Sequence, residues 1–520
     1  MKNRIIACIA LIFLLISLLV SCNLPGGENP GGENPGGENP GGENPTCNHA
    51  DADDDGSCDI CQESVYVIID FYTLNDLHGK FDDSDSDEGV DELTSYLQAT
   101  VKNDDNYVFL ATGDMWQGSS ASNLTRGFII TEWMNKLDFS AMTIGNHEFD
   151  WGEDDIIANK EIASFPLLAI NVYDRDTNKL AEYATPSLIV ERGGVKIGII
   201  GAIGDCYSSI SPDKVEDVYF KVGRELTELV KAESQRLREA GADFIVYSLH
   251  DGYGSSSGGS ITDSQLSPYY DISLSDGYVD LVFEAHTHKS YVLKDSHGVY
   301  HAQGGGDNQG LIHLEVKINS VSGTSSVYPP KFISSSTYLS YSDSPIVDEL
   351  LEKYEEQISP GNAALGNNPS YKNSTYIADL VARLYTEWGV EQYGDKYDIV
   401  LGGGYLKLRS PYKLDTGTVC YSDLQAILPF DNELALCSIR GYYLKKKFIE
   451  TDNRDYHIYF SEHGQAIRNS IDDNAIYYVI VDMYTATYAP NRLTIIEKYE
   501  EELYARDLLA QYIKSGKMNN

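Results

Sequence analysis

Positive charge is scarce in this sequence. Its 39 lysine and arginine residues are outnumbered by 79 aspartate and glutamate residues, which gives a formal net charge of −40. A protein this acidic repels nucleic acids and anionic lipids at long range, so we expect no DNA- or RNA-binding role. Small phosphorylated ligands are not excluded, because a buried cation would dominate the field close to it.

Cysteine and long apolar runs are also rare. The 520 residues include 8 cysteines, and beyond residue 61 only Cys206, Cys420 and Cys437 occur, which excludes a disulfide-stapled scaffold. After the first 22 residues no segment is apolar enough to span a bilayer. With 42% hydrophobic residues, the chain has the length and composition for two or three folded domains.

Residues 1–22 have the pattern of a lipoprotein signal peptide. Lys2 and Arg4 precede an apolar run over residues 5–20 that ends in Ser21-Cys22. Lipidation of Cys22 would hold an exported protein at the cell surface or envelope, and an ordinary signal peptide or an uncleaved anchor is the alternative. Residues 23–46 contain four Gly-Gly-Glu-Asn-Pro repeats, which predict a flexible tether.

Residues 47–63 are a small module rich in Cys, His and Asp, with several interpretations. One set of side chains has the spacing of a zinc site: Cys47, His49, Cys58 and Cys61. Another set begins like a calcium-binding loop: Asp51, Asp53, Asp55 and Gly56. The twelfth position of that loop is Gln62 rather than Glu, which disfavours calcium. A solvated acidic spacer or a disulfide completes the alternatives.

From Val65 onward, strand-like apolar runs alternate with helical patterns, which predicts a layered α/β fold. Five of these runs are followed at once by polar side chains: Asp76 and His78; Asp114; Asn146 and His147; His250; and His286 and His288. Ligands in α/β folds collect at the carboxyl ends of strands. A single histidine there is more often structural, but this recurrence favours one shared site.

The chemistry of this set points to divalent cations. Carboxylate, amide and imidazole groups all bind such ions, and seven ligands suit two ions that share a carboxylate. Two cations about 3.5–4 Å apart can clamp a phosphoryl group and activate water for in-line displacement. The leaving oxygen then needs a proton or a cationic neighbour, a role that fits His147 oriented by Asp150.

In order, the motifs are D-x-H at 76–78, GD at 113–114, GNHEFD at 145–150, His250 and AHTH at 285–288. They resemble those of the calcineurin-like metallophosphoesterases, and the layout of residues 65–500 is similar to the 5'-nucleotidase / UDP-sugar hydrolase family. The resemblance implies a four-layer α/β/β/α catalytic domain over 64–335. A linker helix over 336–359 and a mixed α/β substrate-binding domain over 360–520 would follow. Within the linker, the residue pattern itself predicts one amphipathic helix that runs from its cap Ser344 to Ile358, with Pro345 at its first position.

The resemblance also implies roles for single residues. One metal ion would be held by Asp76, His78, Asp114 and His288. The other would be held by Asp114, Asn146, His250 and His286. His147 and Asp150 would form the catalytic dyad, and Ala285 stands where the family has Gly. Zn, Mn, Fe and Mg are not distinguished, and the oligomeric state is open.

The resemblance is weaker near the C-terminus. The family has Asn-Gly-Gly-Gly-x-Arg where this chain has Leu401 and Leu406 around a predicted triple-glycine turn, and the family's Gly-Gly-Asp-Gly-Phe loop is absent. The candidate substrate contacts are Gly403, Gly404, Arg409, Phe430 and Tyr484. Tyr488 is an alternative stacking ring, while core packing of Phe430 and a plain tight turn at the glycines are the structural alternatives.

Together these features predict a surface-anchored, two-metal phosphohydrolase that acts on nucleoside 5'-phosphates or nucleotide derivatives. The same chemistry on another phosphoester, such as a UDP-sugar pyrophosphate or a cyclic phosphodiester, is the nearest alternative. A non-catalytic surface binding protein with a vestigial site is a third.

Overall fold

The computed structural model describes residues 50–53, 55–61, 64–82, 89–101, 105–255, 262–409, 412–488, 491–499 and 503–519. The predicted signal peptide with Cys22, the repeat linker, Cys47 and His49 lie outside these residues. No helix among the described residues is both long and apolar enough to cross a membrane. All of them belong to one compact unit, residues 49–520.

Fifteen strands precede residue 335 in the described chain. They are β1 (Tyr66–Leu74), β2 (Tyr107–Ala111), β3 (Ala141–Thr143), β4 (Leu167–Leu168), β5 (Val172–Asp174), β6 (Ser187–Arg192), β7 (Val195–Ile203), β8 (Val218–Phe220), β9 (Phe244–His250), β10 (Leu281–Glu284), β11 (Ser290–Lys294), β12 (Tyr300–Gly304), β13 (Gly310–Asn319), β14 (Ser325–Val327) and β15 (Lys331–Ser334). Nine more follow: β16 (Ala364–Asn368), β17 (Lys372–Asn373), β18 (Ile399–Tyr405), β19 (Lys413–Leu414), β20 (Gly417–Cys420), β21 (Leu434–Arg440), β22 (Tyr456–Phe460), β23 (Ile476–Asp482) and β24 (Thr494–Lys498).

The α-helices lie between and after these strands. They are α1 (Asp91–Val101), α2 (Ser120–Leu124), α3 (Phe128–Lys136), α4 (Glu153–Ile162), α5 (Arg224–Glu239), α6 (Asp263–Leu266), α7 (Pro345–Lys353), α8 (Glu355–Ile358), α9 (Ser374–Tyr393), α10 (Tyr421–Ile427), α11 (Gly441–Leu444), α12 (Glu462–Ile467), α13 (Met483–Thr487) and α14 (Ala505–Lys514).

Two sheets form the part of the molecule that precedes residue 335. The first has the order β14-β13-β1-β2-β3-β4, with β15 also paired to β13. The second has the order β11-β12-β10-β9-β7-β6. Strands β1 to β4 are parallel to one another, as are β7, β9, β10 and β12. Because parallel strands end at the same edge of a sheet, the segments that follow them lie close together.

The sheets pack face to face around an apolar interior. Phe71 of β1 contacts Phe244 and Phe283 of the second sheet, with ring centroids 6.0 and 6.3 Å apart. Full burial stabilises each such ring by about 1.5–3 kcal/mol. Helices α1 and α3 cover the outer face of the first sheet, and α5 covers that of the second. The predicted four-layer α/β/β/α arrangement is therefore confirmed.

The C-terminal part is mixed α/β, as predicted. Its five-stranded sheet has the order β22-β18-β23-β21-β24, and the long helix α9 packs on β18. The prediction of a triple-glycine turn was wrong, because Gly402 to Gly404 lie inside strand β18. Glycine is needed there since a Cβ on Gly403 would lie 2.1 Å from the His457 carbonyl oxygen of the neighbouring strand.

The predicted linker helix begins as expected. Ser344 accepts a hydrogen bond from the Ile346 N–H at 3.3 Å, and Pro345 is the first helical residue. A single helix to Ile358 was predicted, but α7 ends before Tyr354 and α8 begins after it. The Tyr354 hydroxyl donates to Glu132 of α3 at 2.9 Å, a tertiary contact that local periodicity does not reveal.

Candidate metal centre and active site

Strand ends supply all seven predicted ligands. Strand β1 ends at Leu74, β2 at Ala111, β3 at Thr143 and β10 at Glu284, and His250 is the last residue of β9. Asp76 and His78, Asp114, Asn146, and His286 and His288 follow the first four of these strands within four residues. The two sheets therefore direct them to one edge of the sandwich.

The structure brings the seven side chains together. The Nε2 atoms of His78 and His288 lie 2.9 Å apart, although 210 residues separate them in sequence. Asp114 Oδ2 is 3.1 Å from His250 Nε2, and Asn146 Oδ1 is 2.9 Å from His286 Nδ1 and 3.3 Å from His250 Nε2. His288 Nε2 is 3.6 Å from Asp76 Oδ1. Their role as ligands stays a prediction.

The backbone at this edge has φ angles that residues other than glycine rarely adopt. Five of the seven residues have positive φ: Asp76 (50°), His78 (51°), Asp114 (54°), His286 (65°) and His288 (53°). Each such residue costs on the order of 1–3 kcal/mol unless its surroundings impose it, and this strain concentrates at functional sites. The fold thus maintains the cluster against local preference.

The donor set fits divalent cations. Asp76, His78 and His288 offer ligand atoms within 4.8 Å of one another, as do Asp76, Asp114 and His250. Asp114 Oδ2 is buried, and its contact with His250 Nε2 at 3.1 Å lacks good hydrogen-bond geometry. Metal ions bind neutral imidazole, and burial lowers the pKa of His286 to about 4 and that of His288 to about 3. At His250 the effect of burial is outweighed by the carboxylates of Asp114 and Asp76, which raise its pKa to about 10.

The buried carboxylate of Asp76 also fits a cation. Burial raises the pKa of Asp76 to about 7, because its ionised form lacks solvation. A nearby divalent ion would stabilise that ionised form. This edge of the sandwich therefore favours the binding of a positively charged ion.

Glu148 is a functional candidate that the sequence analysis missed. Its carboxylate has no solvent exposure and accepts four backbone N–H groups. Oε2 accepts from Asp114 (2.9 Å) and Gly145 (2.7 Å), and Oε1 accepts from Met115 (2.8 Å) and Trp116 (3.3 Å). Glu148 thereby fixes the loop that presents Asp114. The only sequence signal was a carboxylate within GNHEFD that had no assigned task.

His147 and Asp150 form a close pair beside the cluster. His147 Nδ1 lies 2.7 Å from Asp150 Oδ2, and both side chains are nearly buried. Burial lowers the pKa of His147, but the carboxylates of Asp150 and Asp114 together outweigh it and leave that pKa above its ordinary value. Arg409 Nη2 donates to His147 Nε2 at 2.6 Å, so the ring is neutral in this conformation.

A model of the family described as calcineurin-like phosphoesterase matches residues 69–290. Residues 69–290 form a calcineurin-like phosphoesterase domain. The match spans every predicted ligand as well as His147 and Asp150. The chain is a hydrolase of phosphoric esters, as its sequence motifs predicted.

Relatives resemble this chain over about three quarters of its length, which is more than the phosphoesterase domain alone. An apyrase from Tabanus yao is 26% identical over 419 residues, 72% of this chain and 72% of that one. Protein UshA from Yersinia enterocolitica is 24% identical over 457 residues, covering 76% and 78%. The crystal structure of a 5'-nucleotidase precursor from Thermus thermophilus superimposes with a TM-score of 0.64 at 17% identity, covering 87% and 97%, and shows the same fold.

A cavity of about 420 Å³ connects the phosphoesterase centre to the C-terminal part. Its lining includes Asp114, His147, Arg409, Tyr405, Phe430 and Tyr484. The Phe430 ring stacks on His147, with centroids 5.7 Å apart and an interplanar angle of 27°. Arg409 lies 5.5 Å from the centroid of the same ring. The C-terminal part therefore forms one wall of the active-site cavity.

The structure places three of the five predicted substrate contacts in the cavity. Arg409, Phe430 and Tyr484 line the cavity, whereas Gly403 and Gly404 do not. Tyr405 and Asp482 also line it and were missed. Asp482 is the last residue of β23, so it lies at a strand end, as the seven candidate metal ligands do.

The N-terminal module is described in part. Asp51 is buried, and its carboxylate accepts the N–H groups of Asp55 and Gly56, both at 3.0 Å, and the Asn319 amide at 2.7 Å. Cys58 is fully buried. Since Cys47 and His49 lie outside the described residues, the zinc and calcium interpretations remain predictions.

Proposed function

We propose that this protein is an exported, surface-anchored two-metal phosphohydrolase that releases phosphate from nucleoside 5'-phosphates or nucleotide derivatives. The observation that carries the proposal is the single cavity that extends from Asp114 and His147 to the aromatic side chains of the C-terminal part. Such a cavity can hold a phosphoryl group at one end and a planar base at the other. The apyrase relative supports a nucleotide substrate.

Two cations, when bound, would polarise the phosphoryl group and activate water for attack. Asp76, His78 and His288 would hold one cation, and Asn146, His250 and His286 the other, with Asp114 shared. Glu148 keeps Asp114 in place through the loop backbone. Comparing the reaction rate with Zn, Mn, Fe and Mg would identify the ions.

Arg409 and His147 would act on the substrate in turn. A phosphate group competes well for a guanidinium because it accepts charge-assisted hydrogen bonds. Drawing Arg409 to the phosphate would free His147 Nε2, which can then carry the proton needed by the leaving oxygen. Asp150 holds Nδ1–H and keeps the imidazole oriented.

The C-terminal wall would recognise the rest of the substrate. Phe430 and Tyr484 offer ring surfaces on which a base can stack, and the carboxylate of Asp482 offers an acceptor for hydroxyl or amino groups. Gly403 and Gly404 would contribute indirectly by letting β18 pack closely against β22.

The test of the function is phosphate release from AMP, UDP-glucose, cyclic AMP and p-nitrophenyl phosphate, each with Mn²⁺ or Zn²⁺. We expect AMP to be the best substrate. His147→Ala should lower turnover about 100-fold or more while its metal content stays equal to that of the unaltered protein. Loss of metal from that variant would show that His147 is a ligand. No release from any substrate by metal-loaded protein would favour the non-catalytic alternative.

A second candidate function is hydrolysis of a UDP-sugar pyrophosphate or a cyclic phosphodiester by the same centre. The observation in its favour is the altered C-terminal motif, with Leu401 and Leu406 where the family has Asn and Arg. Higher turnover of UDP-glucose or cyclic AMP than of AMP would support it.

Membrane attachment has its own test. Cys22→Ser should release the protein from the membrane fraction if Cys22 carries the lipid, and unchanged fractionation would contradict the lipoprotein assignment.

A further inference from the structure

A second group of metal-type ligands lies away from the phosphoesterase centre, on the strand pair β1 and β13. Its members are Asp70, His313 and Glu315, and their ligand atoms all lie within 4.8 Å of one another. All three side chains are partly exposed, so an ion can reach them from solvent. The mechanism proposed above uses none of them.

The register of the antiparallel pair explains why these side chains meet. Asp70 of β1 lies directly opposite Glu315 of β13, and Tyr72 lies opposite His313. Residues two apart on a strand share a face, so all four side chains project to the same side of the sheet. The arrangement is therefore set by regular backbone structure and not by a loop.

The imidazole of His313 is held in one orientation. Its ring stacks on Tyr72, with centroids 4.5 Å apart and an interplanar angle of 16°. Its Nε2 atom lies 2.6 Å from Asp70 Oδ1. A bound ion would require this separation to widen to about 3 Å, given metal–ligand bonds of about 2.0–2.2 Å, a change that a side-chain rotation can supply.

The charge balance of the group favours a cation. Two carboxylates meet one imidazole, so these three side chains together are negative in either protonation state of His313. Lys331 of β15, which lies opposite His313 in the strand register, is the nearest base across that strand pair and offsets one of the two negative charges at most. Lys317, the next residue on this face of β13, has its ammonium 3.5 Å from the Tyr66 ring centroid, at the far end of the strand pair. The net charge of −40 raises the concentration of divalent cations around the whole molecule.

We propose that Asp70, His313 and Glu315 form a third cation site, selective for ions that accept both imidazole and carboxylate, such as Zn²⁺, Co²⁺ or Ni²⁺. The ion would join β1 to β13. Strand β1 leads directly to Asp76 and His78. The bound ion would therefore stabilise this strand from a position away from the reacting atoms. This site is independent of the proposed function.

Counting Zn²⁺ by equilibrium dialysis and elemental analysis tests the site. His313→Gln should bind one ion fewer per chain than the unaltered protein. His297→Gln is the matched control, because His297 forms a partly exposed pair with Asp276 at 2.7 Å and should retain the full count. Phosphate release by His313→Gln should be unchanged, so failure of the proposed function would leave this count interpretable.

Equal zinc content in His313→Gln and the unaltered protein would overturn the proposal. If that variant fails to fold, anomalous X-ray scattering at the zinc edge from crystals of the unaltered protein decides the question. A peak within bonding distance of all three side chains supports the site, and a zinc-loaded crystal without a peak there refutes it.

Discussion

Glu148 shows how a residue without a bond to substrate can control the centre. Each of its two oxygens accepts two backbone N–H groups. In Glu148→Gln the side-chain NH₂ group would replace one of these oxygens, so it would face two N–H donors whichever way the amide is turned. Each unsatisfied donor costs about 1–3 kcal/mol, and loss of a group that orients a ligand lowers metal affinity about 10–100-fold.

Glu148→Gln should therefore fold with reduced stability and bind Mn²⁺ about 10–100-fold more weakly, as measured by calorimetry. Asp295→Asn is the control, because Asp295 is also a buried carboxylate that accepts two backbone N–H groups, from His297 and Val299. It should lose stability without losing Mn²⁺ affinity. Unchanged Mn²⁺ binding by Glu148→Gln would contradict the positioning role.

The pH dependence of turnover reports on His147. Asp150 raises the pKa of His147 above its ordinary value, and the protonated ring is the form that assists the leaving oxygen. Activity should therefore be present below that pKa and fall as the pH rises through it. Asp150→Asn removes the charge that raises the pKa, so the alkaline fall should move to lower pH. A pH–kcat profile with an unmoved alkaline limb would argue against the dyad.

The candidate metal ligands and the candidate dyad could be named from sequence because each follows a recognisable strand, and the structure brings these side chains together. Glu148 could not, since its partners are backbone N–H groups that lie 32–34 residues earlier in the chain, apart from Gly145. Arg409 was named as a substrate contact, but its hydrogen bond to His147 spans 262 residues and needed the structure.

Among the elements, strand β18 depends most on its glycines. Gly403 has φ of +121°, and an added Cβ would lie 2.1 Å from the His457 carbonyl oxygen. Gly403→Ala combines backbone strain with a clash and should destabilise the protein by about 3 kcal/mol or more, as measured by urea unfolding.

Gly417→Ala separates the two effects. Gly417 has φ of +136°, but no atom lies within 4 Å of its Cβ position. That variant should lose only the strain energy, about 1–3 kcal/mol. Equal losses in the two variants would show that close packing on β22 is unimportant.

Strand β18 also contains a feature that local sequence does not reveal. Three consecutive glycines favour a turn locally, and only the approach of β22 and α9 makes them strand residues. The break at Tyr354 likewise depends on Glu132, more than two hundred positions away. Helix α5 shows the opposite case. Its apolar residues Leu226, Val230 and Leu237 recur at helical spacing and predict a helix over Val222 to Ala240, and the structure has it over Arg224–Glu239.

At the level of the whole molecule, an ion pair joins the phosphoesterase domain to the cavity wall. Arg126 Nη1 lies 2.7 Å from Asp431 Oδ2, next to Phe430, and Asp431 also pairs with the buried Arg506. The Arg126 side chain is 37% exposed, so its pair contributes at most about 1 kcal/mol to stability. Its main effect is on where Phe430 lies.

Arg126→Ala should therefore raise KM for AMP several-fold and change kcat less, with little loss of stability. Lys136→Ala removes another exposed ion pair, which joins α3 to Glu349 of the linker helix α7, and should leave both constants unchanged. The measurement is steady-state kinetics. An unchanged KM in Arg126→Ala would show that this ion pair does not position Phe430 for substrate binding.

The most direct test of the central claim is anomalous X-ray scattering at the manganese edge from Mn²⁺-loaded crystals. We expect two peaks about 3.5–4 Å apart, both within bonding distance of Asp114, one beside His78 and His288 and the other beside Asn146 and His250. A single peak, or two peaks that do not share Asp114, would contradict the proposed centre.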